Sequence, residues 1–100
     1  MIKFYYLHEV GKSCQQFEYL VSSDTELKTI IIDDKLFAAH ESTENDSFVP
    51  DPYADFTDID IVNKADKGIC GKGKAINDNE LEMIQTNNPN ILFVWKMINT

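Results

Sequence analysis

Residues 68–75, Gly68-Ile69-Cys70-Gly71-Lys72-Gly73-Lys74-Ala75, carry the glycine spacing and the lysine of a Walker A loop, whose backbone N–H groups cradle phosphate. Ala75 stands where that chemistry needs a serine or threonine hydroxyl to hold magnesium. A chain of 100 residues is also short for the doubly wound sheet that supplies the acidic metal partner. The expectation for this stretch is a lysine-rich surface connection, with a phosphate-ligand enzyme as the alternative.

Asp58 and Asp60 are two apart. On a strand they share a face with Cα atoms about 6.6 Å apart, a separation suited to paired carboxylates. Alternating polar residues on a solvent-facing strand give the same pattern. Asp51-Pro52-Tyr53-Ala54-Asp55-Phe56 lacks the third-position ligand and the sixth-position glycine of an EF-hand, and no glutamate stands at the twelfth position. His8-Glu9 and His40-Glu41 do not form HExxH, and Cys14 and Cys70 have no neighbouring cysteine at zinc-ligand spacing. His8, Cys14, His40 and Cys70 could meet in the fold, but scattered histidines and small buried thiols account for them more simply. No metal and no cofactor are expected, and no residue is assigned a catalytic role.

The acids are unevenly placed. From residue 41 to 60 there are seven (Glu41, Glu44, Asp46, Asp51, Asp55, Asp58, Asp60) and no lysine, so this stretch holds −7 of a net −8. Phe48 and Tyr53 lie among them. Aromatic side chains supply the desolvated centre of an interface while surrounding carboxylates speed encounter with a cationic partner. Glu44, Asp46, Phe48, Asp51, Tyr53, Asp55, Asp58 and Asp60 are therefore the candidate partner-binding residues.

The elements that must position them follow from periodicity. Ile2, Phe4 and Tyr6 alternate, and Phe17, Tyr19 and Val21 resume the alternation after Gly11-Lys12-Ser13, which predicts an antiparallel hairpin of strands 2–9 and 15–21. Ser23-Asp24-Thr25-Glu26 has capping-box form, and Leu27, Ile30, Ile31, Phe37 and Ala38 fall on one helical arc. Together these predict a helix over about 24–39. The β-branched run Thr29-Ile30-Ile31-Ile32 favours the competing reading, a hairpin turning at Asp33-Asp34-Lys35.

Residues 42–55 read as an acidic loop, 56–62 as a strand and 64–75 as a flexible Lys/Gly-rich loop. Asn77 with Glu80 at N3, and Ile76 paired with Leu81, predict a second helix that Pro89 ends near Asn87-Asn88. Residues 91–98 are apolar on both alternating faces apart from Lys96, as in a mid-sheet strand. The expected fold is a single α+β domain spanning 1–100: a four-stranded, largely antiparallel sheet with two helices packed against it.

Composition limits function. With 17 acids against nine lysines and no arginine, the chain is ill suited to gripping nucleic acid or anionic lipid. No apolar run reaches the roughly 20 residues of a membrane span. The opening residues reach a charge too soon for a signal peptide, so a cytoplasmic setting is expected. These features predict a small acidic binding protein, not an enzyme, that neutralises a basic protein partner, as an immunity protein or an inhibitor of a toxin or nuclease does by occluding an active site. An adaptor pairing through an exposed edge of the first hairpin is a further alternative.

Overall fold

The computed structural model describes residues 1–13, 16–55 and 57–98. Among them the chain forms eight strands and one helix: β1 (Lys3–Glu9), β2 (Phe17–Ser23), β3 (Thr29–Ile32), β4 (Lys35–Glu41), β5 (Asp46–Pro50), β6 (Ile59–Asn63), β7 (Gly68–Ala75), α1 (Asp78–Asn87) and β8 (Ile91–Ile98). All eight strands belong to one antiparallel sheet in the order β3-β4-β1-β2-β8-β7-β6-β5. This overturns the expectation of four strands and two helices.

The largest correction falls on residues 24–39. Ser23 is fully buried at the end of β2 and does not cap a helix. Its hydroxyl accepts from the Thr25 N–H and contacts the Asn90 carbonyl at 3.1 Å, fastening the chain reversal to the start of β8. The β-branched run prevails: Ile30 and Ile32 point into the core while Thr29 and Ile31 face out. Asp33 and Asp34 turn the hairpin with φ of 53° and 61°, the left-handed pair of a two-residue type I′ turn.

Two other loops also contain strands. Residues 46–50 of the expected acidic loop pair with β6. Residues 68–75 form a strand flanked by β6 and β8, so their N–H groups serve ladders on both sides and not a phosphate cradle. The small residues of β7 serve packing instead. A Cβ on Gly73 would lie 3.0 Å from Trp95 Cβ and 3.2 Å from Ile59 Cγ1. The first hairpin, α1 and β8 form where the pattern placed them. Asn77 accepts from the Glu80 N–H at 2.8 Å as the helix cap. The hairpin's strands are interior to the sheet, however, and the free edges belong to β3 and β5.

The sheet buries both faces. On one, Tyr5, Leu7, Val21, Phe37 and Val94 pack with Ile84 of α1. On the other, Leu20, Ile59, Ile61 and Trp95 form a second core, with Phe4 and Phe48 against it. The second core exists because the sheet coils until β5 returns over β1. Phe4 and Phe48 stack with centroids 4.2 Å apart, and the Tyr6 hydroxyl donates to Asp46 Oδ2 at 2.8 Å.

Candidate functional site

The eight candidate binding residues divide along β5. Glu44 and Asp46 lie at its start, and Asp51, Tyr53, Asp55 and Asp58 beyond its end, separated by a five-residue strand of about 16 Å. Phe48 points inward and is spent on the second core. Asp46 is also committed to the fold. It accepts from Tyr6 and from Asn63 Nδ2 at 2.8 Å, and burial together with this bond holds the Tyr6 hydroxyl well above the usual phenol range. Glu44 is exposed in the turn before β5.

The loop after β5 is built from its own carboxylates. Asp51, 6% exposed, accepts from the Tyr53 N–H through Oδ1 at 2.9 Å and from Lys72 Nζ through Oδ2 at 3.2 Å. Its own N–H donates to the Asp58 carbonyl at 2.9 Å. Asp55 Oδ1 accepts from the N–H and the hydroxyl of Thr57, and Asp58 Oδ1 accepts from the Ala75 N–H at 2.9 Å. The bonds from the Tyr53 and Thr57 N–H groups are the short side-chain-to-backbone bonds that give aspartate its place in turns, while those from Ala75 and Lys72 tie the loop to β7.

Asp60 is 5% exposed and stands directly opposite Lys72 across the β6–β7 ladder, with Nζ 3.3 Å from its Oδ1. Lys72 thus bridges Asp51 and Asp60, leaving the trio with one net negative charge. The bond from Tyr53 N–H, supported by Lys72, holds the Asp51 carboxyl below the usual carboxylate range. The bonds to Asp51 and then Asp60 push the Lys72 ammonium up. Asp58 precedes β6 and does not share a strand face with Asp60, so the paired-carboxylate geometry expected for them does not form.

What this scaffold displays is Tyr53, 96% exposed at the tip of the loop. Composition singled out the residue, but the bracing came from aspartates read as solvent-facing charge. The free thiol of Cys70, expected to be buried, is on an exposed residue of β7, and the partial desolvation of its sulfur is the main cause that pushes it up. Cys14 lies outside the described residues. No helix among the described residues is long and apolar enough to cross a membrane. Compared with known proteins, the chain matches no family model, no curated protein and no solved structure.

Proposed function

We propose that this protein is a small acidic binding protein that neutralises a basic protein partner by occluding its active site, in the manner of an immunity protein or an inhibitor of a toxin or nuclease. The observation that carries the reading is Tyr53, an aromatic side chain 96% exposed on a loop whose backbone Asp51, Asp55 and Asp58 already fix. An aromatic anchor on a pre-formed loop loses little conformational entropy when a partner closes over it. The net charge of −8 supplies long-range attraction for a cationic surface. Asp55, exposed on the same loop, and Glu44, exposed before β5, are the carboxylates of the candidate set that face solvent.

The test is capture from the native cell at low and moderate salt with the wild-type chain, Tyr53→Ala and Asp55→Lys, followed by assay of the captured protein's activity. The reading expects one basic protein, retained less as salt rises, lost with Tyr53→Ala and inhibited by the wild-type chain. Reversing Asp51 or Asp60 would report on folding instead, because both are buried against Lys72. Equal, salt-insensitive capture by all three chains would refute the proposal.

A further inference from the structure

We infer that His8 and His40 form a two-histidine site for a divalent first-row transition metal of the zinc, nickel or copper class, with water completing the coordination. The site is a product of register. β1 and β4 pair with Tyr6 opposite His40 and His8 opposite Ala38, which makes the two histidines diagonal neighbours on one sheet face, within reach of each other's rings. His40 Nε2 lies 2.7 Å from His8 Nδ1, and the rings stack with centroids 4.6 Å apart. Phe17 sets its ring edge-on to both. His40 is exposed and His8 half-buried, so the pair is open to an ion from solvent.

The facing nitrogens lie at hydrogen-bond distance, with the donor set by the tautomer. In the tautomers that place each proton on the far ring nitrogen both facing nitrogens carry a lone pair, and turning the exposed His40 ring aims the two at one ion. With metal–nitrogen bonds of about 2.1 Å, a 2.7 Å separation subtends roughly 80° at the metal; widening it to roughly 3.0 Å gives an octahedral cis angle, and to roughly 3.4 Å a tetrahedral one. Rotation of the exposed His40 side chain suffices for either. Imidazole is the ligand that zinc, copper and nickel prefer among nitrogen donors, and the acidic chain concentrates cations around it. Among the described residues no third histidine, cysteine or carboxylate joins the pair. Exchangeable water fills the positions that protein groups leave.

The experiment is titration of the isotopically labelled chain with nickel chloride, read by paramagnetic broadening, and with zinc chloride, read by calorimetry. One ion should bind, with broadening centred on His8, His40 and Phe17. Since even an outer-sphere partner is worth roughly 10–100-fold in metal affinity, His8→Ala and His40→Ala should each weaken binding by about tenfold or more. Cys70→Ser should leave it unchanged. Trp95 fluorescence checks that each variant is folded, and His40→Gln, which keeps a polar side chain against His8, should lose metal equally. Broadening centred on carboxylates or thiols, or equal affinity in the folded histidine variants, would overturn the assignment.

Discussion

Replacing Gly73 by alanine tests whether the glycines of β7 are there for packing. The added Cβ would meet Trp95 Cβ at 3.0 Å, Ile59 Cγ1 at 3.2 Å and Trp95 Cγ at 3.4 Å. Trp95 Cβ is fixed to its own strand, and the indole is tethered by a 2.9 Å bond from Nε1–H to the Thr57 carbonyl, so relief requires moving β7 away from β8. Overpacking of this kind costs about 1–3 kcal/mol, offset by about 0.4–1 kcal/mol from the stiffer unfolded chain, for a net loss of about 1–2 kcal/mol.

Gly71 is the internal control. Its added Cβ would meet only side-chain carbons of Ile61, at 3.4 Å and beyond, and Met97 Cε at 3.7 Å, so Gly71→Ala should be stabilising by about 0.4–1 kcal/mol. Urea unfolding followed through the single tryptophan, Trp95, gives both values. In a domain of this size each kcal/mol moves the melting midpoint by about 4–8 °C. If Gly73→Ala matches the wild type, or both variants are destabilised alike, close approach is not what these glycines provide.

Asn77→Ala removes the side chain that accepts from the Glu80 N–H and should lower stability by about 1 kcal/mol, seen as a lower thermal midpoint and loss of helical dichroism. Asp34→Gly relieves a left-handed residue at φ 61° and should raise stability by up to about 1 kcal/mol in denaturant titration; a loss would mean the aspartate side chain does more than turn the chain. The folded Asp51 carboxyl lies below the ordinary value of 3.8. Its contribution is therefore complete above that value and is lost as pH falls through the folded value. The acid limb that Asp51 governs should begin only below about pH 4, and Asp51→Asn should flatten it; an unchanged limb would place the acid sensitivity elsewhere.

Local pattern made part of the fold legible. The alternation of Ile2, Phe4 and Tyr6, the Asn77 cap and the apolar run at 91–98 each found its element. The capping-box letters at Ser23 misled because serine forms the same short backbone bonds at a strand end as at a helix start, and only contact with Asn90, 67 residues away, decides between them. The strand of Gly71 and Gly73 was hidden because glycine has low β-propensity, while the fitness of Gly73 here comes from Trp95 and Ile59 across the ladders.

At the candidate site, Tyr53 stood out by residue type. The commitment of Asp46, Asp51, Asp58 and Asp60 to tertiary bonds did not, since an aspartate's letter is the same whether it meets water or a lysine. The meeting of His8 and His40 depends on the β1–β4 register, which 32 residues of separation conceal.

The position of β8 governs how the chain can be assembled. It is the last strand among the described residues, yet it lies between β2 and β7 in the sheet. A nascent chain that has reached residue 90 therefore holds two strand groups, β3-β4-β1-β2 and β7-β6-β5, with no ladder joining them and two unsatisfied borders turned outward. The sheet therefore closes only when residues 91–98 have left the ribosome, and until then both borders are open to other chains.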